Sequence, residues 1–361
     1  LETIMTTTSA ATEVAPSNPK VANDPRLDPR IKAFLAHIPN GQPQPNVTSR
    51  EELLAEEYTP RALATLNAQA AAYEAMDRED IAPSTGLSTT TLSFTSDPDG
   101  NTVKIQYIRP DNGQTLPCVY YIHGGRMEMN SCFQGNYKAW GRIIAATGLA
   151  VAMVDFRNSV HPDSAKDVEP FPAGLNDCLS GLKWVRDNVV SLGIDPARII
   201  VAGESGGGNL GLALGMKLKQ DGDLDLIKGI YAMCPYIAGE WPTPEIPSAT
   251  ENEGILISVC DNRATMAYGI DEFTNKNPLA WPSFAQVKDV EGLPPVVIGV
   301  NECDPLRDEG INFLRLLFQA GVPARGRENL GACHAVEIFP VLCPDVSRAT
   351  AADIANFVAN L

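Results

Sequence analysis

Ile199-Ile200-Val201-Ala202-Gly203-Glu204-Ser205-Gly206-Gly207-Gly208-Asn209-Leu210-Gly211-Leu212-Ala213-Leu214-Gly215-Met216 is the stretch on which the fold turns. Ile199 to Ala202 is an apolar, β-branched run with the length of a buried strand. It enters Gly203-Glu204-Ser205-Gly206-Gly207, of the form G-x-S-x-G, and the segment after it reads as helix down to Gln220. Strand, sharp turn, helix is the setting in which that motif lifts a serine Oγ clear of a sheet. Glycines two residues either side of Ser205 keep strand and helix from colliding, and the helix start aims unpaired N–H groups at the same spot. The plain alternative is a glycine-rich turn without chemistry. A phosphate-binding turn is a third reading, but G-x-G-x-x-G is absent and no lysine comes after it as in a P-loop.

Outward from this stretch, strand-like and helix-like segments alternate, which predicts an α/β fold with a mostly parallel sheet. Residues 1–25 lack periodicity and are expected to form a mobile arm or an extended wrap. Residues 26–85 read as helices, one of them capped by Ser49 with Glu52 three positions on. Thr90 to Thr95 and Val103 to Arg109 flank the turn Asp97-Pro98-Asp99-Gly100-Asn101 as a hairpin. Further strands are expected at Cys118 to Ile122, Leu149 to Phe156, the elbow and Ile227 to Cys234, with a long helix over Phe171 to Leu192. Residues 235–285 break the alternation and read as an insertion of the kind that forms a lid. The sheet resumes at Pro294 to Val300 and ends at Arg325 to Leu330. The expected catalytic domain is therefore 86–234 plus 286–361.

With 28 Lys and Arg against 44 Asp and Glu, the 361-residue chain has a formal charge of −16 and no basic run. That argues against nucleic acid or an anionic membrane as partner. No apolar run reaches the ~18 residues of a membrane span, and no secretory signal is legible ahead of or after Met5. None of the eight cysteines forms C-x-x-C. Reduced, buried thiols in a cytoplasmic protein are the expectation.

A serine alcohol needs a base, and the base an orienting acid. The four histidines are His37, His123, His161 and His334. His37 lies in the N-terminal region and His161 in a polar loop, whereas His334, in Gly331-Ala332-Cys333-His334, leaves the last strand at the carboxyl edge where the elbow serine sits, and His123, before a glycine turn, is the other possible base. Asp304 is the candidate acid leaving the strand that begins at Pro294, with Glu302 as backup and Asp308 and Glu309 explained by a helix N-terminus. Ser, Asp, His is the chain order expected of an α/β-hydrolase. Oxyanion donors should be the N–H groups of Gly206 and of the turn His123-Gly124-Gly125-Arg126, with His123 orienting that loop. Met127, Met129, Glu204, Trp241, Ile255, Leu256 and Tyr268 are candidate pocket residues, each with ordinary core packing as the alternative. No metal or cofactor is called for.

His-Gly-Gly at 123–125, Gly-Glu-Ser-Gly-Gly-Gly-Asn-Leu at 203–210 and Asp-Pro-Leu-Arg-Asp-Glu-Gly at 304–310 together resemble the hormone-sensitive-lipase-like esterases. Asp155-Phe156-Arg157-Asn158, Phe171-Pro172-Ala173-Gly174 and Asn277-Pro278-Leu279-Ala280 extend the likeness from about residue 30 to the end, nearest to the bacterial brefeldin A esterase type. The resemblance implies an α/β-hydrolase with a helical cap, built from the N-terminal helices and 235–285. It implies the triad Ser205, Asp304 and His334, oxyanion donors at Gly125, Arg126 and Gly206, and cofactor-free hydrolysis of short-to-medium acyl esters. A lactonase or amidase would use the same residues, and a non-catalytic receptor on this fold is the alternative from another class. Relatives of this type often form homodimers. Two features depart from the family. Arg126 replaces a third glycine, so its side chain could fill the pocket or meet an anionic substrate, and Asn158-Ser159-Val160 stands after Arg157.

Overall fold

The computed structural model describes residues 18–36 and 43–361. His37 and residues 1–17 of the expected arm lie outside the described residues. One sheet holds β1 (Leu87–Thr95), β2 (Thr102–Pro110), β3 (Leu116–Ile122), β4 (Ala150–Asp155), β5 (Ile194–Glu204), β6 (Gly229–Met233), β7 (Val296–Cys303) and β8 (Ala324–Cys333). The spatial order is β1-β2-β4-β3-β5-β6-β7-β8. β2 runs antiparallel to β1 and β4, and the remaining neighbours pair in parallel. This is the α/β-hydrolase fold expected from the sequence.

The central strands read as unbroken apolar runs because helices cover both faces of a parallel sheet. Period-two alternation divides them. Tyr120, Val201 and Ile298 join Leu182, Leu210 and Phe313 on one face. Val119, Ile200 and Val297 join Trp140, Ile144 and Ile354 on the other. Each such aliphatic side chain, fully withdrawn from water, contributes about 1.5–3 kcal/mol. The strands' carboxyl ends thereby gather Ser205, Asp304 and His334 along one edge.

Three stretches differ from the expected outline. The helix drawn over Phe171 to Leu192 is two helices, Ala173–Asp187 and Val189–Leu192, because Asn188 leaves helical geometry at φ −109°, ψ 14°. Phe171 precedes a proline, which disfavours helix there. Within the region assigned to the arm, Asn18 caps a short helix, Pro19–Asn23. Its Val21 is fully buried among Leu27, Ile31, Leu35, Cys303 and Cys333. Residues 235–285 carry three short α-helices, Ser248–Glu251, Arg263–Tyr268 and Ile270–Thr274, and a 3-10 turn, Pro282–Phe284. The N-terminal helix Arg50–Glu57 packs on them through Leu53, Val47 and Ala267. Arg263, 7% exposed at its side chain, bridges to Glu56 at 2.7 Å and Glu57 at 3.1 Å. These are the helical cap elements above the sheet edge.

Candidate active site

Ser205 occupies the turn between β5 and the helix Gly206–Asp221 with φ 55° and ψ −119°, a positive-φ conformation costly for a residue with a Cβ. The surrounding backbone holds it there. Its N–H donates to Met233 O at 2.9 Å, and its carbonyl accepts from the N–H groups of Asn209 and Tyr236, both at 3.0 Å. The flanking glycines are sterically required. A Cβ on Gly203 would lie 2.4 Å from the Gly207 carbonyl oxygen, and one on Gly207 would lie 2.0 Å from Ile122 O.

β7 and β8 pair in parallel as far as Cys303↔Cys333. Asp304 and His334 are the next residue in each strand, which brings them side by side. Asp304 Oδ2 lies 2.8 Å from His334 Nδ1, and His334 Nε2 lies 2.9 Å from Ser205 Oγ. The carboxylate can only accept, so Nδ1 carries the proton and Nε2 turns its lone pair on the serine hydroxyl. Burial pushes the imidazole pKa down, but the facing Asp304 carboxylate, with Glu337 and Glu204 adding to it, outweighs that and the His334 pKa is raised above 6.5. Asp304 Oδ1 accepts the Leu306 N–H at 2.9 Å, which fixes the carboxylate plane.

The other acids are otherwise engaged. Glu302 Oε2 accepts the Gly331 N–H at 2.8 Å. Asp308 accepts from Ser248 N–H at 2.7 Å. Glu309 accepts the Ile237 N–H at 2.6 Å and the Trp241 indole N–H. His161 faces Glu57, with Nε2 3.4 Å from Oε2. His123 is fully buried, stacked on Phe156 at 4.3 Å, and its Nδ1–H donates to Gly124 O at 2.8 Å. It therefore shapes the glycine turn.

That turn carries three successive positive φ values, 105° at Gly125, 58° at Arg126 and 61° at Met127. Gly124 differs from the expected donor role: its N–H already donates to Glu204 Oε1 at 2.6 Å. Glu204 also accepts the Tyr137 hydroxyl at 2.6 Å and that of Tyr121. Burial pushes the Glu204 carboxyl up to about 7, against the pull of these donors. Although it borders the cavity, its carboxylate anchors the turn. Among the described residues the N–H groups of Gly125, Arg126 and Gly206 meet no protein acceptor. A Cβ on Gly206 would stand 2.9 Å from Arg126 N, which shows how closely the two backbones approach.

Ser205 and His334 open on a cavity of about 540 Å³. Met129, Leu256 and Glu204 line it as expected residues. Met127, Trp241, Ile255 and Tyr268 do not reach it. Met127 is 1% exposed and packs in the core beneath the turn. Trp241 stacks on Tyr236 at 4.5 Å, Tyr268 packs edge-on against Trp281 at 5.7 Å, and Ile255 packs with Val21 and Ile31. The wall instead includes Phe34, Gln69, Tyr73, Met76 and Tyr236, which the sequence reading missed. Tyr236 had a legible signal, since it comes after β6 at the same edge as the elbow. Tyr73 and Met76 had none, because which face of the helix Pro60–Glu74 turns inward depends on tertiary packing.

Two groups among the described residues have cation-like spacing. Cys234, Asp304 and His334 belong to the site itself. His123, Asp155 and Asp163 lie under the glycine turn, where Asp155 is occupied by the Ser131 hydroxyl at 2.7 Å and the Cys132 N–H at 3.0 Å. Burial, then the neighbouring Asp155, push the Asp163 carboxyl up to about 9, which favours its neutral, protonated form.

Fold and Ser–His–Asp geometry define the class, a serine hydrolase. The chain matches the α/β hydrolase fold family over residues 119–338. Carboxylesterase NlhH of Mycobacterium tuberculosis (strain CDC 1551 / Oshkosh) is 30% identical over 254 residues, 69% of this chain and 75% of NlhH. Esterase Est22 is 57% identical with a TM-score of 0.91, over 94% of this chain and 99% of its own. The bacterial brefeldin A esterase is 34% identical with a TM-score of 0.82, over 94% of both chains. The chain belongs to the α/β-hydrolase family, among its hormone-sensitive-lipase-like carboxylesterases. The expectation that brefeldin A esterase is the nearest likeness is corrected by Est22, which is nearer in both sequence and structure. The motifs behind that expectation describe the site, and site motifs do not rank relatives.

Proposed function

We propose that this carboxylesterase cleaves short-to-medium acyl esters with Ser205 as nucleophile, His334 as general base and acid, and Asp304 as orienting acid. The observation that carries this reading is the unbroken chain Asp304–His334–Ser205, at 2.8 and 2.9 Å, facing the cavity. His334 Nε2 takes the hydroxyl proton as Oγ attacks the ester carbonyl. The N–H groups of Gly125, Arg126 and Gly206 receive the developing oxyanion, each costing about 10²–10³ in kcat when lost. His334 then gives its proton to the leaving alkoxide, freeing the alcohol. Water, activated by the same imidazole, hydrolyses the acyl-enzyme and returns Ser205.

A cavity of about 540 Å³ suits a substrate of short to medium length. The N-terminal helices and residues 235–285 act as the cap that bounds it. All eight cysteines are unpaired, which supports action in the reducing cytoplasm. Among the described residues no helix is long and apolar enough to cross a membrane. The test is hydrolysis of p-nitrophenyl esters from acetyl to long acyl, with and without a serine-directed organophosphate. Inhibitable turnover with a short-to-medium optimum is the expected result. No turnover, with Ser205 unlabelled, would overturn the reading.

A further inference from the structure

Resting on that esterase reading, we infer that Arg126 and Tyr236 form an anion subsite beside the nucleophile, selecting esters that carry a carboxylate. The position where the family pattern has glycine holds an arginine, and its side chain borders the same cavity as Ser205. It is 35% exposed and therefore partly shielded from bulk water. Its one ionic contact among the described residues is Nη2 to Glu128 Oε2 at 3.2 Å, and it donates no hydrogen bond of good geometry to the protein. A guanidinium has five N–H donors in a planar fork that matches a carboxylate. Most of that capacity is unspent.

The neighbourhood points the same way. Tyr236 is 2% exposed, lines the cavity and has no hydrogen-bond partner for its hydroxyl among the described residues. Its backbone N–H is tied to Ser205 O, which fixes it next to the nucleophile. The acids on the cavity wall are already committed. Glu204 holds Gly124, Tyr121 and Tyr137. Asp261 accepts the Arg263 N–H at 3.0 Å and that of Gln44 at 3.4 Å. The wall beside Ser205 thus offers donors in excess.

Glu128 explains how a second anion is tolerated. It is buried, and its Oε1 has no partner. Burial pushes its carboxyl up to about 7 against the pull of Arg126, with Glu57 and Asp261 adding to the rise and His161 opposing it. When a substrate carboxylate engages Arg126, Glu128 can take up a proton, and the local charge balance is kept.

The experiment compares kcat/KM for charged and neutral esters of matched length. Monoethyl glutarate against ethyl pentanoate places the carboxylate on the acyl side. 4-Acetoxybutanoate against butyl acetate places it on the alcohol side. The wild-type enzyme should prefer one charged member of a pair. Arg126→Gln should lower that charged-to-neutral ratio about 10-fold or more through KM, Arg126→Lys should keep part of it, and Tyr236→Phe should lower it less. The ratio cancels any general loss from disturbing the glycine turn. As a measurement on the unaltered enzyme, glutarate should inhibit hydrolysis of the neutral ester competitively. A wild type that prefers the neutral member of both pairs, or a ratio unchanged in Arg126→Gln, overturns the anion subsite while leaving the esterase standing. Failure of the wild type on every ester would instead overturn the esterase reading itself.

Discussion

At the carboxyl edge of the sheet, Ser205, His334, Asp304 and Glu204 are 0–6% exposed, and their polar atoms are paired at 2.6–3.0 Å. Across the cavity the helix Pro60–Glu74 contains no buried residue, although its Tyr73 forms part of the wall. One side is a buried hydrogen-bonded network in which each partner is held by a strand end. The other is a mostly apolar set of side chains resting on helices outside the sheet. Polar networks in a low-dielectric setting lose much when one member goes, whereas apolar walls give way gradually. On the proposed reading, the reaction is set by the first region and the substrate's size by the second.

The contrast makes its strongest demand on the sheet edge. Ser205→Ala should lower kcat about a million-fold while circular dichroism and Tm stay close to wild type. Residual turnover above that level in a folded variant would break the assignment. Asp304→Asn should cost about 10⁴-fold in kcat, because an amide facing Nδ1 favours the wrong imidazole tautomer. Gly207→Ala tests sterics rather than chemistry. Its Cβ would meet the Ile122 carbonyl oxygen at 2.0 Å, a backbone atom that cannot swing aside. A loss of about 2–3 kcal/mol in denaturant unfolding is expected.

Titration sharpens the same contrast. The His334 pKa is raised above 6.5, so kcat/KM should rise with pH to a midpoint above that value. The linked stability has the opposite course: it is fully present below the unfolded value near 6.5 and lost as pH rises through the raised folded value. Comparing Tm against pH for wild type and Asp304→Asn checks the sign. On the helical side, Tyr73→Ala should leave acetyl ester turnover within about 3-fold and move the optimum towards longer acyl chains. A collapse in kcat there would erase the distinction between the two regions.

Legibility in the sequence divides along the same line. Strand ends, glycine spacing and the order Ser, Asp, His are local features, and β5 and β7 contain the apolar runs that placed them, whereas β8 (Ala324–Cys333) is mostly polar and extends the expected Arg325 to Leu330 at both ends. Glu302 and Asp304 both come after the apolar run, and the sequence favoured Asp304 because it opens the loop. The structure supplies the reason: Glu302 is spent on Gly331. Trp241 and Tyr268 read as pocket residues because aromatics in an irregular insertion look available. They are instead spent on one another's neighbours, Tyr236 and Trp281. The committed N–H of Gly124 was illegible for a related reason. Its acceptor, Glu204, lies 80 positions away and is brought there only by the pairing of β3 with β5.

The last rung between β7 and β8 joins Cys303 to Cys333, one residue before the aspartate and the histidine. Adjacent strands keep about 4.8 Å between them wherever a ladder persists. The backbone spacing of acid and base is therefore inherited from the ladder, after a register shift between Asn301 and Cys303, and the Leu306 N–H beyond it orients the carboxylate. The connection between β6 and β7 is tied to this acid–base unit at Asn252, whose side-chain amide donates to the carbonyls of Glu302 at 3.2 Å and Asp304 at 3.0 Å. An exchange of residues 235–285 that keeps Asn252 would therefore be expected to leave the acid and base in place, because the weave beneath sets their spacing and that one amide anchors them from above.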